Sequence, residues 1–420
     1  MRPFLISLLS LLLAACDAST QNQPVEEPMA QAEESETWRV AIELPGIELP
    51  VTLHLANDLS EAWFINGHER VVVPEISAEG EQITLRFPTF NNTFELARSG
   101  DAMSGTLTLV KLGYEQQMPV QAERGNTQRF TDSKAPEINV TGRWETMFTD
   151  ANGKLTEAVG ELDQQGSRVL GTFLTPTGDY RYLEGSVSGR QLLLSTFDGA
   201  HAFAFSAGLN DQDELEGGFW SGTKSYETWL AKRNFDAQLP DAYELTYLKK
   251  GYDRLAFSFP NLDGQPVSLN DERFKNKVVL VTLSGTWCPN CADEVAFLSG
   301  YYRQNQDRGL EIITLLYEHF DEFELAAQQG KLLRDEYAID YTLLVAGVSD
   351  KTLAAETLPM LNHVLAFPTM IFIDRNGAVR RIHTGFSGPG TGAYYQQFVT
   401  GFNELMEQLL EQSAAADPAE

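Results

Sequence analysis

At 420 residues the chain is too long for one ordinary domain, and its 43% hydrophobic content, with 10% aromatic residues, suits a globular protein that buries more than one core. A formal charge of −28, from 59 acidic against 31 basic residues, argues against nucleic-acid binding, because a polyanion would be repelled and no basic stripe runs through the chain.

Residues 1–15 read as a signal peptide. Arg2 precedes an apolar run that ends in small residues, and the run is too short to span a membrane as a mature helix. The ending Leu13-Ala14-Ala15-Cys16 resembles a bacterial lipobox, which implies cleavage before Cys16, lipid on its thiol and a membrane-anchored mature chain. Asp17 follows directly, and in the usual lipoprotein sorting pattern it implies retention at the inner membrane, on the periplasmic side of the bacterial cell envelope. Residues 16–36 are polar, contain proline and lack periodicity, so they are expected to form a flexible tether.

From 37 to 235 short runs rich in Val, Thr, Phe and Leu alternate with Gly, Asn and Asp turns, the pattern of an all-β sandwich or barrel. Trp38 and Trp144 open similar strands, and the stretches ending at Arg124 and Arg233 share a layout of acidic turn, glycine, strand, polar turn, strand and arginine. Two similar units, 37–125 and 140–233, are therefore expected. His54, His68 and His201 are scattered through this region and fit surface or packed positions better than a site.

A linker at 236–252 leads to a region of different grammar, 253–412, in which strands and helices alternate as in an α/β domain with a central sheet. An entry hairpin is followed by a buried strand at 277–284, a helix from Pro289 toward Gln306, a strand at 310–318 and a helix at 322–337. A further strand at 341–347, a hairpin at 369–385 with an Asn-Gly turn and an amphipathic closing helix at 393–412 complete the expectation. The stretch 348–366 has room for one more helix, and the tail 413–420 is expected to be disordered.

Three cysteines occur, and two of them, Cys288 and Cys291, stand in Gly285-Thr-Trp-Cys-Pro-Asn-Cys291. A bridge over two residues constrains the unfolded chain too little to serve as a staple. A zinc site would need two further ligands, and no second CxxC exists, nor does the spacing of His319, His363 and His383 pair them with the thiols. At a helix N-terminus a thiolate is stabilised by the unpaired N–H groups and the helix dipole, and Pro289 suits the first turn. Cys291 lies one turn further on the same face, which gives an exposed attacking thiol and a sheltered resolving one, as thiol–disulfide exchange requires.

With Trp287 before the pair and Phe367-Pro368-Thr369 about 80 residues later, residues 253–412 resemble the thioredoxin superfamily, in particular the membrane-anchored TlpA/ResA-like disulfide reductases of the AhpC/TSA–redoxin group. The resemblance implies a thioredoxin-like fold and a redox-active Cys288–Cys291 disulfide with no other cofactor and no metal. It makes Pro368 a cis-proline facing that disulfide and places Glu294 beneath the pair, where it tunes a thiol or relays a proton. Trp287, Pro289, Asn290, Phe367 and Thr369 would shape the site. The expected partners are protein thiols or disulfides and a membrane electron donor. Val295-Ala296 stands where the family often has proline, and Phe367 replaces a smaller residue, which implies a more apolar groove. A thiol peroxidase is the enzymatic alternative, but Gly285 occupies the position where its signature needs threonine. A partner-binding lipoprotein scaffold with an accessory redox domain is the other.

Overall fold

The computed structural model describes residues 35–131 and 134–412. The expected signal peptide, Cys16, Asp17 and the tail 413–420 lie outside the described residues, as does the expected tether apart from its last two positions. Those two are strand, because Glu36 accepts from Arg98, Arg124 and the Trp38 indole and so extends the sheet to Ser35.

Eighteen strands between Ser35 and Arg233 build two antiparallel nine-stranded sheets. The first, from Ser35–Leu44 to Tyr114–Arg124, has its edges at Glu69–Val72 and Glu75–Glu79 and stays open as a half-barrel. The second, from Gly142–Thr149 to Ser225–Arg233, closes into a barrel because Leu155–Gln165 pairs with both Gly142–Thr149 and Arg168–Thr175. Burial alternates residue by residue along Tyr114–Arg124, since one face meets the core and the other meets solvent. Trp38 lies opposite Arg124 where the first and last strands of the half-barrel pair, and Trp144 lies opposite Arg233 at the same place in the barrel. In each case an arginine also stacks on the tryptophan, Arg98 on Trp38 and Arg233 on Trp144.

Aromatic rings fill the barrel. Phe148, Phe173, Phe205, Phe219 and Trp229 interlock there at centroid distances of 4.5–6.4 Å. The open sheet cannot enclose its own core, and Phe197, Ala202 and Ala204 of the barrel complete it.

Residues 236–252 are not a loose connection. A one-turn helix, Ala242–Leu245, is capped by Asp241, and Tyr243 packs on Phe372 and His383. The domain beyond has a five-stranded sheet in the order Thr342–Val348, Leu310–Glu318, Val278–Ser284, Thr369–Ile373 and Val379–Thr384. The first two pairings are parallel and the last two antiparallel. The central strand Val278–Ser284 is buried along its whole length because both faces are covered. Val278 and Leu280 meet Val295 and Leu298 of the helix Pro289–Asn305 and Phe402 and Met406 of the closing helix Ala393–Glu411. Val279, Val281 and Leu283 meet Phe257, Leu358 and Ile371 on the other face. The helix Lys351–Thr357, started by the Asp350 carboxylate accepting from Thr352 and Leu353 N–H, occupies the long stretch before Phe367. The chain is thus a thioredoxin-like C-terminal domain preceded by a large all-β region.

Candidate active site

The central strand ends at Ser284, and the turn after it delivers the cysteines to the start of the helix Pro289–Asn305. Gly285 is required here: a Cβ would sit 2.3 Å from the Trp287 indole nitrogen and 2.7 Å from the Tyr317 carbonyl oxygen. The indole N–H donates to that carbonyl at 2.8 Å, and the Trp287 ring stacks on His319 and meets Phe367 edge-on. Burial holds His319 neutral, its pKa lowered to about 3.

Glu318, at the end of the neighbouring strand, fixes the same turn. Its carboxylate accepts from the Thr286 N–H at 2.9 Å and from the Thr286 hydroxyl at 2.6 Å, and burial raises its pKa to about 7. Reading the sequence missed Glu318 and His319; the available signal was a charged residue at the carboxyl end of a buried parallel strand, where α/β proteins place their sites.

Cys288 is the N-cap of the helix, and its Sγ accepts from the Cys291 N–H at 3.3 Å. The two sulfurs lie 2.6 Å apart, and the Cys288 thiol points at the Phe367 carbonyl oxygen 3.6 Å away. The Phe367–Pro368 peptide bond is cis, and the Thr369 hydroxyl donates to the Ala366 carbonyl at 2.8 Å, closing that turn. Pro289 and Asn290 are buried between the cysteines.

Cys288 departs from the expectation of an exposed attacking thiol. It is 6% exposed and Cys291 1%. The all-β region covers the helix start, a tertiary contact that strand and helix patterns do not encode.

Glu294 is fully buried, and neither carboxylate oxygen has a hydrogen-bond partner among the described residues. Burial first, and then the Cys288 sulfur, raise its pKa well above the usual carboxylate range. The Cys291 thiol is also pushed well up, by burial, by the Cys288 sulfur and then by Glu294. A carboxyl kept neutral next to a thiol kept neutral can hold and pass a proton. Asp293, the residue before it, accepts from Arg181 of the barrel. No group of metal-ligating side chains occurs among the described residues.

The sequence model of the AhpC/TSA family matches residues 251–382. The thioredoxin-like protein YneN of Bacillus subtilis is 25% identical over 138 residues, 33% of this chain and 73% of that protein. The thiol-disulfide oxidoreductase ResA of Halalkalibacterium halodurans is 25% identical over 159 residues, 38% of this chain and 78% of ResA. ResA of Bacillus thuringiensis is 29% identical over 123 residues, 29% of this chain and 62% of the relative. Among solved structures, a putative DsbE from Chlorobium tepidum aligns at 20% identity with a TM-score of 0.28, covering 37% of this chain and 98% of that one. With the sheet order, the CxxC at the helix start and the match over 251–382, the C-terminal domain belongs to the thioredoxin superfamily as a TlpA/ResA-like thiol-disulfide oxidoreductase domain of the AhpC/TSA group.

Proposed function

We propose that this chain is an exported, membrane-anchored disulfide reductase, with Cys288 as the attacking thiol and Cys291 as the resolving one. The Cys288 thiolate attacks one sulfur of a substrate disulfide, forming a mixed disulfide and releasing the other substrate sulfur as a thiolate. Cys291 gives up its proton, attacks Cys288 and frees the second substrate thiol. Two electrons leave the dithiol, which becomes the Cys288–Cys291 disulfide, and two enter the substrate. Glu294, which already carries a proton, relays the Cys291 proton, taking it on one carboxyl oxygen as the other gives up its own to the departing substrate sulfur, while Trp287, Pro289, Asn290, Phe367, Pro368 and Thr369 shape the contact with substrate. A membrane electron donor returns the disulfide to the dithiol. The lipobox-like Leu13–Cys16 supports lipid attachment at Cys16, and Asp17 supports the periplasmic face of the inner membrane.

The observation that carries this reading is the pairing of adjacent sulfurs at a helix start with an unpartnered buried carboxyl beneath them. Its test is Cys291→Ala in the full-length chain, which is expected to accumulate mixed disulfides through Cys288, while Cys288→Ala yields none. Reductase activity surviving in Cys288→Ala would refute the assignment. The reduction potential tests direction: a value close to that of thioredoxin, about −270 mV, fits a reductant, and one close to DsbA, about −120 mV, reverses the proposal.

A further inference from the structure

Barrel residues 176–182 lie across the start of the CxxC helix and the loop after the last sheet strand. Asn290, in the amide orientation that satisfies both of its polar atoms, accepts from the Asp179 backbone N–H at 2.8 Å and donates to the Asp179 carbonyl at 3.3 Å. A side chain that reads both backbone groups of one residue recognises extended chain irrespective of sequence, as strand addition does. Gly178 fits closely against it, because a Cβ there would lie 2.5 Å from the Asn290 side-chain amide. The buried Asp179 carboxylate accepts from the Gly388 N–H at 2.7 Å. Arg181 donates to the Pro289 carbonyl at 3.1 Å and to the Asp293 carboxylate, and its other edge is held by Glu69 of the half-barrel. On the far side of the cysteines, His319 bonds to the Val110 carbonyl at the end of a half-barrel strand.

These contacts are hydrogen bonds and ion pairs. Each hydrophobic core among the described residues draws its buried members from the all-β region or from the thioredoxin-like domain, and none combines the two. A polar contact of this kind between separately cored bodies can open without unfolding either.

We infer that residues 176–182 are a built-in occupant of the substrate-receiving face, and that a substrate gains Cys288 by displacing them. The face they fill accepts an extended segment whose backbone pairs with Asn290, with a small residue followed by an acidic one that reaches the Gly388 N–H. The inference rests on Cys288 as the entry thiol of the proposed reductase.

Iodoacetamide alkylation of Cys288 in the reduced full-length chain, mapped by mass spectrometry, reads its accessibility independently of redox activity. Gly178→Val puts side-chain volume against Asn290, and Asp179→Ala removes the Gly388 bond without adding volume, so the second variant stands if the first does not fold. Both are expected to raise the alkylation rate about tenfold, the size of effect from losing a charge-assisted hydrogen bond. Reaction with Ellman's reagent, whose disulfide is reduced to two thiolates as Cys288 and Cys291 are oxidised, should accelerate in parallel. Wild-type Cys288 alkylating as fast as both folded variants would overturn the inference. Faster alkylation without faster reduction of Ellman's reagent would support the occlusion and count against the reductase reading alone.

Discussion

Glu318→Gln tests how the turn that carries the CxxC is held. Glu318 is 1% exposed and takes two hydrogen bonds from Thr286. Burial raises its pKa from the ordinary 4.5 to about 7. The folded chain therefore holds this proton more tightly than the unfolded chain. The stability it contributes is fully present below pH 4.5 and is lost as pH rises to about 7. At about 1.4 kcal/mol per unit, the stability advantage of wild type over Glu318→Gln should shrink by about 2–3 kcal/mol between pH 5 and pH 8. Titrations common to the two chains cancel in the difference. The assay is urea unfolding of the reduced full-length chain at both pH values, read by hydrogen-exchange mass spectrometry on peptides from Val278–Ser284, so that the transition followed belongs to the thioredoxin-like domain. A difference that stays constant from pH 5 to pH 8 refutes the assignment of Glu318 as a buried acid titrating near neutrality.

His383 has the opposite sign: burial lowers its pKa to about 4, while the ring bonds the Gly385 carbonyl at 3.1 Å. Stability is lost as pH falls from 6.5 toward 4, and His383→Phe should remove about 2 kcal/mol of the wild-type loss between pH 7.5 and pH 5, measured in the same unfolding assay. Phe205→Ala empties a fully buried position in the barrel between Phe173 and Phe219 and is expected to cost about 3–5 kcal/mol, seen as a lowered melting temperature. Arg181→Met strands the carboxylates of Glu69 and Asp293, which should destabilise the contact between barrel and helix by about 3–5 kcal/mol and speed Cys288 alkylation.

Much of the thioredoxin-like domain was legible because its elements are local. The run Val278–Ser284, the proline after Cys288 and the Asn-Gly turn each state their conformation within a few residues, and the strands and helices fall within two residues of the positions expected from pattern alone. The all-β region was legible as alternation, but alternation says only that one face is buried. Whether a sheet closes depends on a pairing such as that of Leu155–Gln165 with Arg168–Thr175, and that is decided by twist and by what fills the interior.

The sequence by itself determined that two thiols stand one turn apart at the start of a helix, with an acid three residues on. Those are short-range relations of residue type and spacing. Only the tertiary structure decided that Glu294 has no hydrogen-bond partner among the described residues, that Glu318 grips Thr286, and that Asp179 pairs with Asn290 from more than 100 positions away. Burial and long-range polar contact are properties of what packs against a side chain, and the neighbours that supply them are distant in the chain.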